Sequence, residues 1–241
     1  MGVRVSQKIS RRAFLVLGGS TLVFPKISLG DVDKPTVLDH ILLGCNDLDR
    51  GIAFVEEHTG VRAAFGGVHP GRGTRNALLS LGERHYLEII APDPQQVGVA
   101  DTRNLQELVQ PRLVGWAAHP GDINEFAVYL RSAGVVFEGP TPGSRKRSDG
   151  RVLQWKTVAL KNDGQGVLPF FIEWSAGTIH PSIDAPPGCT IEKFTISSPN
   201  QLEMQGLCSV LQLDVDVEHA EKSQLAARIS GLNGHMMRLP S

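Results

Sequence analysis

From Val37 onward, short apolar runs alternate with helical apolar faces. Val37–Gly44 is an almost continuous apolar run interrupted by Asp39 and His40, the pattern of a buried strand. Asp47 is placed to cap a helix carrying Ile52, Ala53, Phe54 and Val55, and Gly60 to end it. Ala63-Ala64-Phe65 opens a second strand, followed by a glycine-rich turn over residues 66–73. Residues 76–81 and 85–90 then read as a strand pair joined at Gly82-Glu83.

The succession then returns. Residues 113–118 read as a strand, and Asp122 caps a helix bearing Ile123, Phe126, Ala127 and Leu130. Asp47 and Asp122 lie 75 residues apart. Strands at 152–159 and 170–174 follow a longer polar loop at 140–151, in which Arg145-Lys146-Arg147 reads as a solvated basic run. Tyr86-Leu87-Glu88-Ile89 matches Phe171-Ile172-Glu173-Trp174 in the order aromatic, aliphatic, Glu, apolar. Such self-similarity predicts a repeat architecture. A third, shorter copy follows a proline-rich linker at 180–189, with a strand at 190–196, a helix at 201–211 and strands at 213–217 and 226–229. It has no Glu in the corresponding final strand and reads as extension or cover. The expected fold is α+β: paired βαβββ modules at 31–110 and 111–182, with a partial βαββ module at 183–241.

Composition narrows the function classes. Of 241 residues, 41% are hydrophobic and 20% charged, an ordinary globular mix. With 24 basic and 25 acidic residues, nothing in the charge balance attracts nucleic acid. Three cysteines exclude a disulfide scaffold; Cys45, Cys189 and Cys208 could include one pair or all be reduced core thiols. No run of 18 apolar residues predicts a membrane span.

Residues 1–30 read as a signal peptide. Arg4, Lys8, Arg11 and Arg12 precede about a dozen apolar residues at 13–24, too short to span a bilayer. Ser10-Arg11-Arg12-Ala13-Phe14-Leu15 resembles the twin-arginine export signal, with Val16 where a Lys is usual. Ser28-Leu29-Gly30 offers small residues for cleavage before Asp31. The resemblance implies export of a folded protein to the periplasm or beyond; without a working signal the chain stays cytoplasmic.

The duplicated units resemble the vicinal oxygen chelate superfamily, and most closely its glyoxalase-like domain subfamily. The carrying residues are Leu38-Asp39-His40-Ile41, the turn His69-Pro70-Gly71-Arg72-Gly73-Thr74-Arg75-Asn76, Tyr86-Leu87-Glu88-Ile89, and residues 168–174 with His180-Pro181. The resemblance implies a cleft between two modules, with a divalent metal ion held by the first and last strand of each. His40 takes the first ligand position, Glu88 the second and Glu173 the fourth, with Glu88 and Glu173 also catalytic. The third position falls at Gly115 or Trp116, neither of which ligates a metal; His119 or His69 would have to complete the set. The implied activity is isomerase- or lyase-type chemistry on a small oxygenated substrate. One His and two Glu suit a hard or borderline ion better than the iron of ring-cleaving dioxygenases.

The residues themselves leave other readings open. His40 could be a satisfied core histidine, and Glu88 and Glu173 could pair with an arginine such as Arg75. His69, Arg72 and Arg75 could meet an anionic or carbonyl substrate or belong to a structural hairpin. Trp116, Trp155 and Trp174 could line the cleft or simply pack. A metal-free protein that binds or sequesters a small ligand is therefore the alternative, and a homodimer formed through the C-terminal unit is a further reading.

Overall fold

A computed structural model describes residues 37–99, 104–147, 149–163 and 166–241. The signal peptide expected at 1–30 lies outside the described residues.

The first module runs β1 (Val37–Gly44), α1 (Leu48–Thr59), β2 (Ala64–His69), β3 (Thr74–Ser80) and β4 (Tyr86–Pro92). The second runs β5 (Arg112–His119), α2 (Ile123–Ser132), β6 (Phe137–Lys146), β7 (Val152–Leu160) and β8 (Phe170–Trp174). Both helices begin on aspartate caps. Asp47 accepts from the Arg50 amide, and Asp122 from those of Asn124 and Glu125. Gly60, at φ 72°, closes α1 in the left-handed conformation.

Strands β1 to β8 form one sheet in the order β2-β3-β4-β1-β5-β8-β7-β6. In each half the last strand runs parallel to the first, β4 on β1 and β8 on β5. The halves join through the antiparallel pair β1–β5. The edge strands β2 and β6 come into contact, so the sheet curls around a hollow. Its convex side carries the apolar core, including Ile41, Leu43, Leu87, Ile89 and Phe171, against α1 and α2. The paired βαβββ modules of an α+β fold are thus present.

Two elements differ from the sequence reading. The polar stretch expected as a loop at 140–151 is largely β6, paired antiparallel with β7. Pro140 and Pro142 are tolerated because β6 is an edge strand, and the register shifts between Glu138 and Thr141. The C-terminal unit has three strands after its helix rather than two. After a short α3 (Pro181–Asp184) come β9 (Thr190–Ser198), α4 (Gln201–Val210), β10 (Asp216–His219), β11 (Gln224–Ser230) and β12 (Met236–Pro240). Their order, β10-β9-β11-β12, differs from that of the modules. This sheet covers the outer side of β5, where Phe194 packs on Trp116 at 5.0 Å, and Tyr129 of α2 donates to the Val210 carbonyl of α4.

The cysteine alternatives resolve toward thiols. Cys45, Cys189 and Cys208 are all free and buried. Burial pushes the Cys45 thiol up to about 12 and that of Cys208 up to about 11, as expected of inert core thiols. Among the described residues no helix is long and apolar enough to cross a membrane.

Candidate active site

The hollow of the curled sheet holds a cavity of about 670 Å³. Strand alternation decides which side chains enter it. From β4 these are Tyr86, Glu88 and Ile90; from β3, Thr74 and Asn76; from β1, His40 and Leu42. The β2–β3 turn contributes His69 and Arg72, and the second module Arg145, Trp155, Phe170, Ile172 and Trp174.

Glu88 is the polar centre. Its Oε1 accepts from Asn76 Nδ2 at 2.7 Å and lies 3.6 Å from His69 Nε2. Its Oε2 lies 3.4 Å from His40 Nε2. Burial opposes the charge on Glu88. The hydrogen bond to His40, the charges of His69 and His40, and the Asn76 amide outweigh that cost and hold its carboxyl well below the usual range.

His40 is oriented from behind by its neighbour Asp39. The register between β1 and β5 shifts between Leu38 and His40, leaving Asp39 as the extra residue of a bulge. Such a bulge re-aims a side chain. Asp39 Oδ1 lies 2.7 Å from His40 Nδ1, while Oδ2 accepts from Trp174 Nε1 at 3.1 Å and lies 3.2 Å from His180 Nε2. Burial alone would lower the imidazole's pKa, but the two carboxylates overcome it and lift His40 to about 9. Burial also opposes the charge on Asp39, yet the His180 and His40 hydrogen bonds keep that acid strongly ionised. Tyr86 stacks on the His40 ring at 4.4 Å, and Phe170 meets it edge-on at 5.6 Å.

Arg145 arrives from the opposite edge of the sheet. It is 6% exposed, and its Nη1 donates to Asn76 Oδ1 at 2.5 Å. Asn76 therefore uses one end of its amide on Glu88 and the other on Arg145. Burial lowers the Arg145 pKa, opposed by the negative charge of Glu88.

The sequence-predicted residues divide accordingly. The structure brings His40, Glu88, His69 and Arg72 to one cavity. Glu173 lies on the other face of β8, where its Oε2 accepts from the Ile123 amide at 2.9 Å and so caps α2. The metal-ligand and catalytic roles assigned to Glu173 are corrected on that ground. The physical cause is register: β8 presents Phe170, Ile172 and Trp174 to the cavity, so Ile172 occupies the side corresponding to Glu88. A one-residue slip in matching the two strands moves every side chain to the opposite face. Trp116 is also corrected. It is 1% exposed, faces the C-terminal sheet and donates to the Val167 carbonyl at 2.8 Å. Arg75, between Thr74 and Asn76, points away from the cavity into a separate depression with Asp47 and Asp93. His119, proposed to complete a ligand set, instead places Nδ1 3.1 Å from the Ile172 carbonyl. Asp39, Asn76, Tyr86 and Arg145 were not singled out as site residues. The sequence signal for Asp39 was its charge inside an apolar strand; Arg145 was masked by its polar surroundings.

A divalent ion implied by the fold does not suit this donor set. On the cavity side, β5 presents Gly115 and Ala117 opposite Leu42 and His40, with no ligating atom. The two imidazoles approach different oxygens of Glu88, giving a carboxylate bridged between them rather than three lone pairs aimed at one point. Asn76 already occupies Oε1. Among the described residues no group of three His, Cys, Asp or Glu side chains is arranged to hold a metal.

Comparison with known proteins agrees with this architecture. The family model described as glyoxalase-like domain matches residues 38–211. A hypothetical protein from Staphylococcus aureus has a similar solved structure, with 22% identity over 85% of each chain and a TM-score of 0.60. Methylmalonyl-CoA epimerase from Mycobacterium tuberculosis shares 22% identity over 61% of this chain and 94% of its own, with a TM-score of 0.45. No curated protein matches. With the family model covering both modules of the curled sheet, the chain belongs to the glyoxalase-like domain family.

Proposed function

We propose that this chain is an enzyme that moves a proton on a small oxygenated organic molecule, in isomerase- or lyase-type chemistry. Glu88 is the base and His40 the acid. The observation that carries this reading is geometric: a carboxylate and an imidazole, Glu88 Oε2 and His40 Nε2, 3.4 Å apart and both lining one cavity. A carboxylate and an imidazolium within reach of one bound molecule can serve it as proton acceptor and proton donor.

In this scheme Glu88 removes a proton from the carbon beside a substrate carbonyl. The C–H electron pair passes into the enolate, and His40 gives its proton to the enolate oxygen. Glu88 then returns a proton to carbon while the enol O–H gives its proton back to His40, so the carbonyl re-forms, both groups recover their starting states and no electrons leave the substrate. Asp39 holds the imidazole in place throughout.

The test is exchange of carbon-bound hydrogen for deuterium, followed by proton NMR across a panel of small carbonyl compounds. Exchange that disappears in Glu88→Gln supports the reading. A protein that binds panel members without exchanging them is instead the metal-free binding protein. The metal-dependent enzyme implied by the sequence resemblance is the other rival. It requires about one equivalent of divalent ion that is lost in His40→Ala.

Export belongs to the same proposal. The twin-arginine pattern at Arg11 and Arg12 supports it, and replacing both with Lys should retain the protein in the cytoplasm.

A further inference from the structure

We propose that the cavity takes organic acids, with Arg145 as the anchor for the substrate carboxylate and the aromatic wall as the seat of its apolar body. The inference rests on the cavity being a substrate site, as proposed above, and adds the class of molecule.

Arg145 lies in the cavity wall and is almost fully buried. Among the described residues no carboxylate is within ion-pair distance of it. Its Nη1 is occupied by Asn76, while its Nε is buried without a hydrogen-bond partner. A guanidinium held out of water with an unused donor is incompletely satisfied, and a carboxylate is the partner whose two oxygens match its planar fork.

The surroundings fit that ligand. Asn76 stands between Arg145 and Glu88, and Asn76, His40 and His69 cover the Glu88 oxygens. An incoming anion thus meets the cation while the charge of Glu88 is offset by His40. Gly67 lets the arginine lie close to the backbone of β2: a Cβ there would sit 3.2 Å from Arg145 Cδ. Trp155 and Trp174, edge to face at 5.6 Å, form an apolar wall with Phe170. The volume of about 670 Å³ admits a body the size of a phenyl ring beside the acid group.

Matched acids and amides test the assignment by calorimetry on the intact protein: lactate with lactamide, and mandelate with mandelamide. Each acid should bind at least about 10-fold more tightly than its amide, with mandelate tighter than lactate. Arg145→Gln should bring acid and amide within about 2-fold of one another, and Arg145→Lys should keep part of the difference. Equal binding of acid and amide by the unaltered protein overturns the proposal, as does failure of both acids to bind at millimolar concentration. An undiminished acid preference in folded Arg145→Gln overturns it as well. Because the unaltered protein supplies the first comparison, the test survives a variant that does not fold. Glu88→Gln separates the two readings: it should keep the acid preference while losing deuterium exchange. Exchange without acid preference sinks the anchor alone, and acid preference without exchange sinks the proton transfer alone.

Discussion

Asp39 Oδ1 lies 2.7 Å from Nδ1 of its chain neighbour His40, although consecutive residues of a regular strand point to opposite faces. The bulge in β1 is what permits it. Asp39→Asn removes the negative charge but keeps a polar group of the same shape. The His40 pKa should then fall from about 9 toward neutrality. Nitrogen-detected NMR titration of the imidazole measures this directly. An unchanged pKa would show that Glu88 alone holds the charge.

The same cluster predicts a pH profile of stability. His40 is raised from 6.5 to about 9, so its contribution is complete below pH 6.5 and is lost as pH rises through about 9. Asp39 and Glu88 are lowered, so their contributions are present above the ordinary carboxylate range and are lost as pH falls toward their folded values. The free energy of unfolding should therefore drop by roughly 2–3 kcal/mol between pH 6.5 and 9.5. Urea melts across that range provide the measurement, and His40→Gln should flatten the alkaline limb.

Glu173 should behave as a structural residue. Its carboxylate satisfies the first helical amide of α2 and makes no approach to the cavity. Glu173→Ala should cost about 1 kcal/mol of stability, the usual value of a lost helix cap. Ligand binding and deuterium exchange should stay unchanged. Loss of exchange without loss of stability would restore a chemical role.

Much of the scaffold was legible because its signals are local. Asp47, Gly60 and Asp122 announce their helices by cap chemistry, and β1 and β8 stand out as apolar runs. What failed was the comparison of β4 with β8. Matching Glu88 to Glu173 respects residue type but slips by one position, and in a strand one position exchanges the cavity face for the core face. The site was only half visible for a different reason. Arg145 reaches Asn76 across 69 residues of chain, through the curl that brings β6 to β2. Periodicity carries no information about such a long-range approach. Nor does it show that the C-terminal sheet turns Trp116 into core.

Metal removal is expected to leave the fold intact. The cavity neutralises Glu88 with His40, and a buried arginine stands nearby. A chelator should move the melting temperature by less than about 1 °C, whereas a structural ion contributes folding energy outright. Mass-spectrometric metal analysis beside the melt would detect a bound equivalent. A large drop in melting temperature on chelation would refute the argument from donor geometry.

Gly67 offers a way to disturb Arg145 without touching its charge. The glycine sits at φ 140°, a conformation L side chains rarely adopt, and an added Cβ would come within 3.2 Å of Arg145 Cδ. Gly67→Ala should therefore strain β2 and push the arginine away from Asn76. We expect a loss of about 1–3 kcal/mol in stability, set by the backbone strain. The acid-over-amide preference should shrink along with it, because the guanidinium would no longer be held at its present position. Asn76→Ala supplies the control: it removes the arginine's polar partner but leaves the β2 backbone relaxed. If Gly67→Ala lowers stability and the acid preference survives intact, the close passage of Arg145 over β2 matters for packing and not for recognition.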